Sequence, residues 1–371
     1  MKKNIIISLV AVVAMFLTSC KVDFSPNTEW REVPSVYCLL DQDDDTTYVR
    51  VQKCYLGDGS AYDYTQIHDS INYPEGSIKV QLQEWNATAE VVRLSNDAAR
   101  TLTVLHPTGT APRRTYDFDY MLVTDKDSGL FATAGGQPVY VCRTAGQLDT
   151  TCVYRLVVTK SNGDTIATAS TQLLWGSMRL INPNNGTKFD FTGGNGNKRC
   201  LFRFSPLEGG RRYQPMIRFH YRDYWLEPNE VNGVPDTFKV PHHIDINAGY
   251  FKSDMKALTE EYSYAQGAFL SAIKMVLAGD TLEKYKVKNV IDTVDIWIRV
   301  CDENLAQYLY SHEVSSALNQ SNYSFTNING GVGVFAARRT HIKFTIPSPA
   351  PANSPYKQAL AALNVGFSGQ Y

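Results

Sequence analysis

The sequence has no excess of charge of either sign. Its 371 residues include 36 Lys and Arg against 37 Asp and Glu, which leaves a net charge of −1. A nucleic-acid partner usually requires a basic surface, so this balance gives no support for one and we expect none. Hydrophobic residues make up 43% and charged residues 20% of the chain, which excludes a disordered or collagen-like protein.

The chain has no apolar run that reaches the length of a membrane-spanning helix, about 20 residues. Its longest run, residues 5–17, follows Lys2 and Lys3. A short basic segment followed by an apolar stretch of this length is typical of a secretory signal peptide. We therefore predict export and not a spanning helix.

The residues that end this run, Leu17-Thr18-Ser19-Cys20, resemble a bacterial lipobox. Small residues there permit cleavage, and the cysteine thiol receives the lipid. We predict a lipoprotein signal peptide over residues 1–19, lipidation of Cys20 and a lipid-anchored tether over residues 20–31. Several acyl chains on one cysteine anchor a protein stably. The chain is therefore expected in the outer membrane, lipid-anchored and exposed at the cell surface.

Cysteines are few: six remain after Cys20. Export permits disulfides, although the sequence alone cannot choose among the pairings. Cys142 and Cys152 flank a short polar segment and are the easiest pair to imagine. A turn at residues 43–45 would place Cys38 opposite residue 49 and not opposite Cys54, so we do not expect that pair. No spacing of cysteine and histidine indicates zinc, and we expect no metal and no cofactor.

Short alternating runs separated by turn residues predict a mainly β fold. The clearest hairpin joins residues 153–160 to residues 165–174 through Ser161-Asn-Gly-Asp164. Many such strands predict an immunoglobulin-like or fibronectin-like β-sandwich domain over residues 32–176. A β-rich α+β domain over residues 177–371 is expected to follow.

The second half mixes helical and strand patterns. We predict a helix over residues 268–277, a strand over residues 290–301 and a further helix from residue 303 to residue 318. Asp302 directly precedes that helix, where its side chain can accept an unpaired backbone N–H as the N-cap. A last strand is expected to end at Ile346.

Catalytic patterns are absent from the sequence. There is no GxSxG motif, and no histidine lies in a metalloprotease motif. The acidic turn from Asp41 to Asp45 has Thr46 and Gln52 where a calcium-binding EF-hand loop needs Gly and Glu. Gly330-Gly331-x-Gly333 precedes a strand and not a helix, which favours a turn or bulge over a phosphate loop. We expect no catalytic residue and no enzyme.

Two aromatic clusters are candidates for contact with a ligand or partner. Tyr62 and Tyr64 lie around a Gly-Asp-Gly sequence, and Tyr224 and Trp225 end the segment FHYRDYW. On loops, such rings stack on sugars or anchor a protein partner. On strands they are ordinary packing residues, so both interpretations stay open.

Three segments together resemble a known family: residues 33–57, residues 154–173, and residues 306–335 with their NINGGVGVF sequence. The chain is similar to a Bacteroidota outer-membrane lipoprotein family of unknown function, whose members are commonly encoded beside TonB-dependent receptors. The resemblance implies N-terminal immunoglobulin-like β-structure and an α+β second half. It implies no catalytic residue.

The expected function is therefore that of a non-enzymatic surface lipoprotein. It would be an accessory subunit of an outer-membrane β-barrel complex, in TonB-dependent transport, secretion or barrel assembly. The expected partners are the barrel and, through the N-terminal lipid, the membrane. The alternative is a surface glycan-binding or adhesive lipoprotein that uses the aromatic clusters.

Overall fold

The computed structural model of the chain describes the residues in the following ranges: 32–54, 65, 67–93, 101–125, 136–193, 197–225, 239–253, 257–279, 286–313, 325–348 and 355–367. The signal peptide, Cys20 and the tether lie outside these ranges and stay predictions. So do Tyr62 and Tyr64 of the first aromatic cluster.

Strands dominate the described residues, so the prediction of a mainly β protein is confirmed. They are β1 (Val33–Asp41), β2 (Thr46–Cys54), β3 (Ile78–Arg93), β4 (Thr101–Pro107), β5 (Arg114–Asp117), β6 (Asp119–Val123), β7 (Gln137–Arg143), β8 (Cys152–Lys160), β9 (Thr165–Gln172), β10 (Arg179–Asn182), β11 (Arg199–Ser205), β12 (Arg212–Trp225), β13 (Lys239–Asn247), β14 (Phe251–Lys252), β15 (Glu260–Ala265), β16 (Lys286–Cys301) and β17 (Val332–Pro347).

The helices are short. They are α1 (His68–Ile71), α2 (Gln266–Leu277), α3 (Glu303–His312) and α4 (Pro355–Ala361). None of the helices in the described ranges has the length and apolar character needed to cross a membrane. Helix α3 begins as predicted, because the Asp302 side chain accepts the Leu305 N–H. It ends at His312, earlier than the predicted residue 318, and residues 314–318 lie outside the described ranges.

The largest sheet has the strand order β13-β12-β16-β17-β1-β2-β7-β6, with β14 also paired to β12. At its centre β1 pairs antiparallel with β2 and parallel with β17. Strands from both sides of residue 176 therefore share this sheet, which crosses the predicted domain boundary. The physical reason is that a parallel partner need not be a neighbour in sequence.

A second sheet has the order β4-β3-β8-β9, with β5 also paired to β3, and a third joins β10, β11 and β15. Inward side chains of the first two sheets belong to one hydrophobic core. Val36 and Val49 come from the first sheet, and Leu82 and Leu156 come from the second. All four are almost completely buried.

Strand β3 is long, and its two halves differ. Residues Ile78 to Asn86 pair with β8, whereas Ala87 to Arg93 pair with β4 alone among the described strands. The second half is exposed from Thr88 onward. The residues Ala87 to Arg93 pair antiparallel with β4, and we call these two strands together the arm.

The cysteine register corrects one expectation and confirms another. All six described cysteines are free. Cys142 lies in β7 of the largest sheet and Cys152 begins β8 of the second sheet, so the imagined pair is not formed. Cys38 lies opposite Val49, as the turn predicted, and Cys54 lies opposite Val33.

The glycine-rich segment before β17 is a close approach of backbones, as expected. A Cβ atom on Gly330 would clash with the carbonyl oxygen of Ile166, and one on Gly333 with that of Val36. Gly333 also has a φ of +111°, which L side chains rarely adopt. The segment thereby fits against both β9 and β1.

Replacing Gly333 by Ala should lower the free energy of unfolding by about 3 kcal/mol, because a left-handed strain adds to overpacking. Gly163 is the matched control. It has a φ of +93° and open space around it, so Gly163→Ala should cost only about 1 kcal/mol. Urea unfolding followed by circular dichroism measures both values. Equal losses would contradict the packing argument.

Candidate functional site

A groove runs over the outer face of the second sheet. Side chains alternate along a strand, so when Leu82 and Leu156 face the core, Trp85 and Arg155 face away from it. Two adjoining cavities, of about 290 and 360 Å³, occupy this face and share Ser170 in their lining. We call them together the sheet groove.

The smaller cavity is the polar one. It is lined by Trp85, Arg155, Thr168, Ser170 and Asn329. The Trp85 ring is half-buried, and its Nε1–H donates to Gln83 Oε1 at 3.3 Å. The cavity thus combines a flat aromatic surface with hydroxyl, amide and guanidinium groups. This is the chemistry that binds polyhydroxylated rings.

Asn329 reaches the groove because the glycine-rich segment holds it there. Its backbone N–H donates to Thr168 O at 2.7 Å, and its carbonyl accepts the Thr168 N–H at 3.0 Å. Two residues earlier, the Asn327 amide donates to Phe335 O at 2.7 Å and accepts the Phe335 N–H at 2.9 Å. The segment that carries the family resemblance therefore forms one rim of the groove. The sequence predicted its tight packing but not this position.

The larger cavity is mainly apolar and lies against the arm. Leu102 and Val104 of β4 line it. Strand β4 is held there by a side chain: the Leu105 N–H donates to Gln172 Oε1 at 3.0 Å, and Gln172 Nε2 donates to Thr103 O at 3.1 Å. Gln172 thus pairs with the outer edge of β4 as a neighbouring strand would.

The carboxyl group of Asp302 lies at the edge of the larger cavity. It accepts three hydrogen bonds: from Leu305 N at 2.9 Å, from Ala337 N at 3.0 Å and from Thr171 Oγ1 at 2.8 Å. Burial outweighs these bonds and raises the pKa of Asp302 to about 6. Since all its bonds go to the protein, its role is structural.

A second buried carboxylate lies on the inner face of the same sheet. Glu84 accepts from the Tyr116 hydroxyl at 3.0 Å and from the Tyr154 hydroxyl at 3.1 Å. The Arg113 Nε atom lies 3.3 Å from the other carboxylate oxygen. Arg113 also donates to Asp149 at 2.8 Å. The Glu84 carboxylate is therefore turned toward this network and away from the groove.

The second predicted aromatic cluster lies elsewhere. Tyr224 and Trp225 end β12 in the largest sheet, where Tyr224 is opposite Lys239 and Val287. Phe219 and Tyr221 of the same segment are buried in the core, so for those two the packing interpretation is confirmed.

The acidic turn after β1 is neutralised by basic residues of β17. Arg339 contacts both carboxylate oxygens of Asp43, at 2.8 and 2.9 Å, and His341 Nε2 lies 2.7 Å from Asp44. Within the described residues, no group of three or more His, Cys, Asp or Glu side chains could hold a metal ion. The acidic turn is thus ion-paired, and the Arg338-Arg339 sequence is the signal of its partners in the chain.

Comparison with known proteins gives no family. No protein-family model matches the chain, and no curated protein matches it. It is similar to the C-terminal globular domain of an oligosaccharyltransferase from Pyrococcus abyssi, at 9% identity and a TM-score of 0.20. The match covers 72% of this chain and 47% of that one, so the chain spans less than half of that structure. A TM-score this low carries no argument about fold or function.

Asp302 should make stability depend on pH. In the folded chain the Asp302 carboxyl keeps its proton up to about pH 6, whereas in the unfolded chain the same carboxyl loses its proton near about pH 4. The stability contributed by this raised pKa is present below about pH 4 and is lost as the pH rises through 6. Compared with Asp302→Asn, which cannot titrate, the wild type should therefore lose free energy of unfolding across this range.

Urea unfolding of both proteins at several pH values measures the difference. A difference for Asp302→Asn that does not change with pH would contradict the assignment.

Proposed function

We propose that the chain is a non-enzymatic lipoprotein, held by lipid on Cys20 in the outer membrane and exposed at the cell surface. It acts as an accessory subunit of an outer-membrane β-barrel complex, in TonB-dependent transport, secretion or barrel assembly. The lipobox and the family resemblance support the location. The arm supports the role, because its exposed side chains and its strand edge suit contact with a partner protein.

The arm carries this proposal through its exposure. Val91 and Val92 point to opposite faces of β3, yet 63% and 37% of their surfaces are accessible. From Thr88 onward this half of β3 is exposed on both faces, whereas β4 beside it lines the larger cavity and is held by Gln172. The edge of Ala87 to Arg93 opposite β4 has no partner among the described strands, and such an edge can pair with another chain. A partner that covers the arm would bury the two valine side chains and would pair with the backbone groups of this strand edge.

A photo-crosslinking residue at Val91 should capture the barrel subunit in intact outer membranes, because the proposal places this side chain in the contact. Tyr48 is the matched control. It is 54% exposed, but it lies on β2 in the other sheet. Mass spectrometry of the crosslinked product identifies the partner. No barrel adduct at residue 91, or equal adducts at both positions, would contradict docking through the arm.

The second candidate function is surface glycan binding, alone or as adhesion. The observation that favours it is the polar cavity of the sheet groove, where Trp85 lies beside hydroxyl, amide and guanidinium groups. The two cavities of the sheet groove have volumes near the lower end of the range for small-molecule sites, roughly 300–1,000 Å³. This site differs from the aromatic clusters that the sequence indicated.

Trp85→Ala should weaken retention of the protein by a binding polysaccharide by about fivefold, since ring stacking contributes about 1 kcal/mol beyond simple burial. Affinity electrophoresis in gels with different polysaccharides measures the retention. Tyr48→Ala removes an exposed ring outside the groove and should leave retention unchanged. A Trp85 variant that is retained like the wild type would rule out stacking at this ring.

The finer fold assignment is also a proposal. We infer that residues 32–176 form an immunoglobulin-like sandwich, to which the strands after residue 177 add. The shared core between β1 and β2 on one side and β3 and β8 on the other supports this arrangement. The division into two domains stays a prediction.

A further inference from the structure

The polar cavity of the sheet groove contains a positive charge that the protein does not neutralise. Arg155 is exposed on the outer face of β8 and has no ion pair within the described ranges. Its neighbours across the sheet are neutral: Gln83 on β3 and Ser170 on β9. Arg218, by contrast, contacts both carboxylate oxygens of Asp245, at 2.6 and 2.7 Å.

Among the described residues, no carboxylate lines the cavity beside Arg155. Two acids of this region are already engaged. Glu84, next to Trp85 in sequence, faces the core and lies 3.3 Å from Arg113. Glu303, which lines the larger cavity, is paired with Arg211. The Arg155 guanidinium is therefore open to a ligand carboxylate as far as the described lining goes.

From this arrangement we propose that the polar cavity binds an acidic glycan through a sugar ring that carries a carboxylate. The Trp85 ring stacks on the apolar face of the sugar. The Arg155 fork takes the carboxylate, with which a planar guanidinium forms two parallel hydrogen bonds. The inference rests on the glycan-binding function proposed above and specifies its ligand class.

The remaining groups complete the recognition. Thr168, Ser170 and Asn329 offer hydroxyl and amide groups around the ring, where sugar hydroxyls need both donors and acceptors. The adjoining apolar cavity shares Pro107 and Val153 with the polar one. A ligand that fills both cavities is accordingly a chain of sugars and not a single one.

The test uses the mature lipidated chain in detergent micelles with defined probes. The acidic probes are polygalacturonate, alginate and hyaluronate, which present the carboxylate in different configurations, and the neutral probe is dextran. Affinity electrophoresis gives the dissociation constant for each. We expect an acidic probe to bind and dextran not to bind, with an affinity that falls as salt rises.

The variants isolate the charge. Arg155→Gln should weaken binding of the acidic probe by about tenfold or more, because a hydrogen-bonded charge pair contributes about 1.5–3 kcal/mol. Arg155→Lys keeps the positive charge but loses the two parallel hydrogen bonds of the guanidinium. Its affinity for the acidic probe should lie between those of the wild type and Arg155→Gln. Arg143→Gln, at an exposed arginine of β7 in the other sheet, should bind like the wild type. Circular dichroism verifies that each variant is folded.

The outcomes separate the two levels of the proposal. If dextran binds as well as the acidic probes, and Arg155→Gln has no effect while Trp85→Ala does, glycan binding stands and the acidic ligand is wrong. If no probe binds, both are wrong. If acidic probes bind but Arg143→Gln weakens them as much as Arg155→Gln, the charge effect is nonspecific and the cavity assignment is overturned.

Discussion

The buried carboxyl group of Asp302 joins three parts of the structure that no continuous strand connects. It caps helix α3 through Leu305 N, it accepts from Ala337 N on β17, and it accepts from the Thr171 hydroxyl on β9. Thr171 belongs to the second sheet and Ala337 to the largest sheet. The relative position of the two sheets at the groove therefore depends on a group that is 7% exposed and bonded on every side. A buried polar group with all its bonds satisfied specifies one arrangement, whereas a partly satisfied one is costly.

The glycine-rich segment before β17 also connects the second sheet to the largest sheet. Gly330 lies against β9 and Gly333 against β1, and between them the chain passes from the second sheet to the largest one. Asn329 is placed at the groove as a result of this passage. Residues that read as purely structural in the sequence thus position a polar group of the candidate site. The arm depends on the same region, because Gln172, next to Thr171, holds β4 in place.

Local patterns predicted much of this fold. The hairpin from β8 to β9, the helix cap at Asp302 and the register of Cys38 opposite Val49 all depend on residues close in sequence. The parallel pairing of β1 with β17 does not, because it joins opposite ends of the described chain and leaves no local signal. The groove was missed for a related reason.

Trp85 and Arg155 lie on different strands, and only the register between β3 and β8 shows that they share one face. The aromatic candidates that the sequence offered at the end of β12, Tyr224 and Trp225, are conspicuous because they are adjacent in the chain. A binding surface on a sheet is instead built from single residues of several strands. A lone Trp at an outward position, with neutral polar neighbours across the sheet, is the signal that points to such a surface.

The account as a whole rests on the claim that this chain works as the accessory subunit of an outer-membrane barrel. The most direct test is to purify the tagged, full-length protein from gently solubilised outer membranes and to quantify what accompanies it by mass spectrometry. The account predicts one β-barrel protein in a stoichiometric amount. Recovery of the tagged chain alone would contradict it.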